Sequence, residues 1–519
     1  MKYSKKNYVI TSAQGIQSPY SANMYGREPR RGKVNKELMK NIEKYKNFNN
    51  TEIKICAIPG SYVNEIELDP YFNTRNDVYI GKESMRRNEQ NKIKERKKRE
   101  QWEKNGQQGE KPMHYFWDEI PDVERKIIDE RFNENISIKG VPEPPQNKNP
   151  LVGKERYTQK HGGNSVIIPS PKKRLKPIAS GQAGDFPKLL MTTGSCTHPS
   201  YNTSNRTGKM AYEDHKYGFL ALNILDNKRF LTRFVPAKKN GNFIDMGISY
   251  YTNKEPKKAI TRALIIGDSH VSEIDPLTEK ANKEMIKWFE PKNIHYHDVF
   301  SASSINIHEI EDTVYLSNKF KKQETNLEKE LLLTAKYIHD NAVLAKQYGG
   351  KIWINYSNHD DMLYRWLTKQ MFRKDKENIQ TAYNILGLGI DRHNTLEKAL
   401  NYYGDIPSNV TFLKPGQDRI YWGFQCAAHG HLGKNGSRGT LKNLIEGYGK
   451  VIMGHVHSYE VINDSMSVGT STKIPLHYQL GSPSTSMAAN AVIYDGGLVQ
   501  GLPIIKGEWK PKGLEKIIK

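Results

Sequence analysis

Two side chains able to bind a cation stand two residues apart in Gly267-Asp268-Ser269-His270, directly after the apolar run Ala263-Leu264-Ile265-Ile266. Four apolar residues in a row predict a strand buried on both faces. Gly267 lets the chain turn, and in extended geometry a spacing of two sends Asp268 and His270 to the same side. A carboxylate and an imidazole aimed at one point beyond a buried strand are the ingredients of a metal site. Alone the pair is weak, because Asp-x-His is common in solvated turns. Its weight comes from what recurs downstream.

Further apolar segments end the same way. Ile294-His295-Tyr296 runs into His297-Asp298. Lys351-Ile352-Trp353-Ile354 runs into Asn355-Tyr356-Ser357-Asn358-His359-Asp360. Val451-Ile452-Met453 runs into Gly454-His455-Val456-His457, and Phe424-Gln425-Cys426-Ala427-Ala428 into His429-Gly430-His431. In open α/β sheets, ligands gather beyond the carboxyl ends of the strands, so these ends can converge.

In order and type, these blocks resemble the calcineurin-like metallophosphoesterases, whose pattern runs Asp-x-His, Gly-Asp, Gly-Asn-His-Asp/Glu, His, Gly-His-x-His. Two positions depart from it. His297 stands where Gly usually precedes the Asp, and Ser357 where Gly usually precedes Asn358. The resemblance implies two divalent cations. One would be held by Asp268, His270, Asp298 and His457, the other by Asp298, Asn358, His429 and His455, with Asp298 bridging. Two such ions roughly 3.5–4 Å apart clamp the attacking and leaving oxygens of a phosphoryl displacement and acidify a bridging water. Manganese is the first expectation. Iron, zinc or magnesium are alternatives, since mixed N/O ligands discriminate little. His359 follows a ligand and is expected as the catalytic general acid or phosphate partner. His431, Arg438 and Arg365 are expected as substrate contacts. Arg438 lies in a glycine-rich loop (residues 429–439) that permits close approach to a phosphate.

A narrower resemblance covers nearly the whole chain. Val9-Ile10-Thr11-Ser12-Ala13-Gln14, Met191-Thr192-Thr193-Gly194, His297-Asp298-Val299-Phe300, Ser357-Asn358-His359-Asp360-Asp361 and His429 to Gly436 are similar to tailed-phage metallophosphoesterases, which include the first-step-transfer deoxyribonuclease. This implies a DNA-cleaving enzyme in the cytoplasm of an infected bacterium that degrades host DNA, with homo-oligomers among its expected states. In that group an Asp commonly follows the His-Gly pair where this chain has His431.

Composition agrees with an anionic partner. Lys and Arg exceed Asp and Glu to give a net charge of +22 over 519 residues, which favours nucleic acid. The three cysteines, Cys56, Cys196 and Cys426, are too far apart for a zinc motif or a disulfide framework and fit a reducing interior. No signal-type stretch and no membrane-spanning run is expected.

The elements that must position the site divide into two regions. Residues 1–255 are expected to form a mixed α/β domain. It opens with a β-α-β unit over residues 8–60 and holds a hairpin of Tyr217–Leu222 with Arg229–Val235. Residues 84–112 form a basic insertion, read either as a solvated helix or as a DNA-phosphate surface. Lys172-Lys173-Arg174 with Lys176 reads as a compact basic cluster. Residues 256–505 are expected to form the metallophosphoesterase domain, a layered α/β two-sheet sandwich flanked by helices. Its clearest helix is Leu327 to Tyr348, with Leu327, Leu331, Ala335, Ile338, Ala342 and Ala345 on one face. Another is expected after Asp360, and residues 506–519 read as a basic surface tail. Two other functions fit part of this pattern. One is a phosphomonoesterase or small-molecule phosphodiesterase, and the other is a non-catalytic DNA-binding phage protein with a vestigial site.

Overall fold

The computed structural model describes residues 6–14, 33–58, 78–80, 82–107, 126–127, 129–141, 143–159, 163–180, 186–307 and 312–517. Gln17, Pro59, Gly60, Pro142 and residues 108–112 of the basic stretch lie outside them.

The chain is α/β, and a six-stranded sheet carries the first part of the site. Its order is Val410–Phe412, Lys351–Ile354, Asn293–Tyr296, Thr261–Ile266, Ala489–Tyr494, Val499–Pro503. The first four strands run parallel, and the last two are antiparallel additions. Parallel neighbours need a crossover, and helices Pro276–Phe289 and Leu327–Lys346 supply two of them. All four parallel strands therefore present their carboxyl ends on one edge. Thr261–Ile266 is buried on both faces: Leu264 and Ile266 enter one apolar cluster, Ala263 and Ile265 another.

Helix Leu327–Lys346 forms where the 3.6-residue spacing predicts. Asn326 caps it by accepting from the Lys329 N–H at 2.9 Å. Leu327, Leu331, Ala335, Ile338, Ala342 and Ala345 are buried along one face. The second expected helix starts earlier than the sequence suggests, at Asn358. Ser357 caps it, and Asp360 accepts from the Ser357 N–H at 3.0 Å. This reciprocal pairing satisfies two otherwise orphaned N–H groups.

An eight-stranded sheet packs beside the first. Strands Ile452–Met453, Ser465–Ser467 and Glu460–Ile462 continue into Arg174–Ile178, Lys188–Thr192, Ser165–Ile168, Ile136–Ile138 and Glu130–Asn133. The junction is Val461 opposite Leu175 and Ile462 opposite Arg174. Ala263, Ile265 and Ile493 of the first sheet share a core with Ile167, Met191, Val461 and Met466 of the second. The expected boundary near residue 255 thus falls between two stretches that share a sheet and a core.

The amino-terminal region adds another six-stranded sheet. Asn7–Ala13 pairs in parallel with Thr51–Ala57 across helix Lys36–Asn49, and Gly218–Ile224 forms an antiparallel hairpin with Phe230–Pro236. Asp226 closes that hairpin by accepting from the N–H groups of Lys228 and Arg229.

The compact basic cluster and the tail read as basic surface are both partly buried. Lys172 and Lys173 are almost fully enclosed, donating to the carbonyls of Ala211 (3.0 Å) and Val499 (3.3 Å). Their long apolar stems pack in the interior while each ammonium finds an acceptor. The carboxyl-terminal stretch buries Trp509 and Leu514 in the main core, with Trp509 against Phe289. Residues Lys82–Lys104 form one helix, and its described side chains are exposed, apart from the partly exposed Trp102. Among the described residues, no helix is long and apolar enough to cross a membrane.

Candidate metal centre

Asp268 leaves the end of strand Thr261–Ile266 and is fixed at once. Its N–H donates to Gly469 O (3.1 Å), and its carbonyl accepts from the Ser471 N–H (2.8 Å) and the Thr470 hydroxyl (3.0 Å). A Cβ on Gly267 would stand 2.6 Å from Gly469 O, so glycine is required there for close approach. The next residues pair with the loop after the neighbouring strand. The N–H groups of Ser269, His270 and Val271 donate to the carbonyls of His297 (2.9 Å), Asp298 (2.7 Å) and Val299 (3.1 Å). This short ladder sets Asp298 beside His270. The third strand delivers Asn358 at the start of its capped helix.

The other ligands arrive from the opposite side. His429 follows the short strand Phe424–Gln425, and His455 and His457 follow Ile452–Met453 of the eight-stranded sheet. The His455 N–H donates to Asp268 Oδ2 at 2.7 Å, and His457 Nε2 lies 3.1 Å from the same oxygen. Gly454 makes this approach feasible, because a Cβ there would meet Asp268 Oδ1 at 2.2 Å and His297 Cγ at 2.9 Å. His270, Asp298, His455 and His457 all have φ between 39° and 71°. Left-handed backbone in non-glycine residues costs energy, and it concentrates where function requires a fixed geometry.

The structure brings the predicted ligands into two groups that share Asp298. One contains Asp268, His270, Asp298 and His457, and the other Asp298, His429 and His455, each with ligand atoms within 4.8 Å of one another. Asn358 Oδ1 joins the second group at 3.2 Å from His429 Nε2. Within the groups, His270 Nε2 is 3.1 Å from His457 Nε2, and Asp298 Oδ2 is 3.0 Å from His429 Nε2 and 3.6 Å from His270 Nε2. Atoms bound to one cation at about 2.1 Å stand roughly 3.0–3.4 Å apart, so the residues fit such ions. Asp268 Oδ1 and Asp298 Oδ1 are buried and accept no hydrogen bond among the described residues. A buried carboxylate oxygen without a donor is costly unless a cation takes its place.

Electrostatics favour the protonation states that ligation needs. Burial pushes the His270 imidazole down to about 3 and His455 to about 4. Burial opposes charge on Asp298 too, but His429 and His359 outweigh it and hold the carboxyl well below its ordinary value. His429 is the exception: burial acts against its proton, yet Asp298 and Asp268 raise it to about 9. A divalent cation would take over that balancing charge.

His359 lies beside the first group. Its Nδ1 donates to the Ser301 carbonyl at 2.7 Å, and its ring stands edge-on to His270 with centroids 4.7 Å apart. His431 lies on the other flank, with ring centroids 5.5 Å from His429 and 6.1 Å from Tyr356, and neither nitrogen has a partner among the described residues. Arg438 is exposed opposite Leu432. Arg365 is exposed in the last turn of its helix, about two turns from Asn358. His297 and Asn355 were not among the expected site residues. Both are buried, His297 Nδ1 lies 3.3 Å from His429 Nδ1, and His297 groups with Asp268 and His429 as a third set of potential ligands. The available signal was an imidazole in place of a glycine, next to Asp298.

No family profile matches the chain. The chain is similar to Protein A1 of Escherichia phage T5, with 24% identity over 323 residues, 58% of this chain and 56% of that protein. It thus spans just over half of that relative's length. No solved structure matches.

Proposed function

We propose that the chain is a dinuclear-metal phosphodiesterase of the calcineurin-like type that cleaves DNA, with residues 256–505 as its catalytic region. The observation that carries this reading is the sharing of Asp298 between two ligand groups, the arrangement that two-metal phosphoryl transfer uses. When bound, two divalent cations, manganese first, would acidify a water and neutralise charge on the phosphate. The chain's own part is to hold and shield. His359, oriented by Ser301, keeps Nε2 available to protonate the leaving oxygen, while His431 and Arg438 contact the substrate and Arg365 approaches from the helix. The similarity to a phage protein supports a setting in an infected host cell, where host DNA is the substrate.

DNA is favoured over a small phosphoester by charge. Beyond the net +22, exposed Gln90, Lys94, Lys97, Lys98 and Gln101 fall on one face of helix Lys82–Lys104. Arg99 and Glu103 fall on the other side and pair at 3.4 Å. A row of exposed lysines suits a phosphate backbone. The test is incubation with supercoiled plasmid and Mn²⁺, beside a chromogenic phosphomonoester. Plasmid loss that EDTA stops, and that Asp298→Asn abolishes, is expected. Monoester turnover with intact plasmid would overturn the DNA assignment.

A further inference from the structure

We infer that His297 is a positioning residue for metal ligand His429, packed against Asn355, which a buried hydrogen-bond chain through His295 to Tyr421 holds in place. The inference rests on the metal reading of the site. His429 turns Nε2 toward Asp298 and Asn358 (3.0 and 3.2 Å). A neutral imidazole that gives Nε2 to a cation carries its proton on Nδ1 and needs an acceptor there. The atom in reach is His297 Nδ1, at 3.3 Å. The competing acceptor, Asp268 Oδ1, is 4.0 Å away, beyond hydrogen-bond range.

His297 is held from every side. The Asn355 amide nitrogen lies 3.3 and 3.2 Å from its two ring nitrogens and donates to the Cys426 carbonyl at 2.8 Å. Asn355 Oδ1 accepts from His295 Nδ1 at 3.0 Å, and His295 Nε2 accepts from the Tyr421 hydroxyl at 3.1 Å. Gly454 forms the floor, since a Cβ there would stand 2.9 Å from His297 Cγ. His297, Asn355 and His295 are fully or almost fully buried, and close packing leaves the ring little room to turn. Loss of an outer partner of a metal-bound histidine typically costs 10–100-fold in metal affinity.

The test is calorimetric and spectroscopic titration of the metal-free full chain with Co²⁺. His297→Ala is expected to weaken one Co²⁺ equivalent 10–100-fold and alter its visible spectrum, leaving the other equivalent unchanged. His297→Asn, which restores an acceptor near the Nδ1 position, is expected to recover most of the loss. Tyr421→Phe, at the far end of the chain, is expected to give a smaller loss in the same equivalent. Thermal melts establish that each variant is folded. A folded His297→Ala protein that binds both equivalents like the wild type would overturn the inference. Asp298→Asn is the control: if it leaves Co²⁺ binding intact, the metal reading itself fails.

Discussion

At the scale of single residues, the site depends on side chains whose backbone or protonation state is unfavourable by itself. His270 and Asp298 adopt left-handed φ values of 39° and 44°, and the ladder between their loops holds them there. His359 has no place in either ligand group, so its removal tests chemistry apart from metal binding. His359→Ala is expected to lower kcat by roughly 10²–10⁴-fold with metal stoichiometry unchanged, as read by steady-state kinetics and elemental analysis. Away from the site, burial lowers the Lys173 ammonium to about 8. Between that value and the ordinary 10.5, the unfolded chain binds more protons than the folded one, so stability rises with pH across this window. Lys173→Met is expected to stabilise the protein at pH 7 by about 1–2 kcal/mol, offset in part by the lost bond to Val499 O. Urea titrations should show the gain shrinking by pH 10, and a gain independent of pH would contradict the assignment.

At the scale of elements, much of the parallel core was legible. The unbroken apolar run at 263–266 forms a buried strand, that at 352–354 a half-buried one, and the spacing from Leu327 to Ala345 a helix. The reason for convergence was not legible. Asp268 and His270 were expected to point together in extended chain, but His270 is left-handed, and the pairing of residues 269–271 with 297–299 places it. That contact joins residues nearly thirty apart and leaves no local pattern. The burial of Lys172 and Lys173 was hidden for the same reason, since their acceptors, Ala211 and Val499, are distant in sequence. The helix Lys82–Lys104 makes an element-scale prediction. Reversing Lys94, Lys97 and Lys98 to Glu is expected to weaken DNA binding in EDTA. It should also reduce the slope of log affinity against log salt by about 3, near 0.9 per phosphate contact. Unchanged binding would assign that helix to solvent.

At the scale of the whole molecule, two sheets built from distant parts of the chain meet at one point. Asp268, Asp298 and Asn358 come from the edge of the six-stranded sheet, and His455 and His457 from the end of the eight-stranded one. The eight-stranded sheet includes strands from residues 130–192, so the amino-terminal half supports the site, and among the described residues the ligand groups all come from the carboxyl-terminal half. The most direct measurement is anomalous diffraction from crystals grown with Mn²⁺. Two peaks are expected, roughly 3.5–4 Å apart: one among Asp268, His270, Asp298 and His457, the other among Asp298, Asn358, His429 and His455. No peak there, or a single ion that leaves Asp298 unshared, would contradict the account.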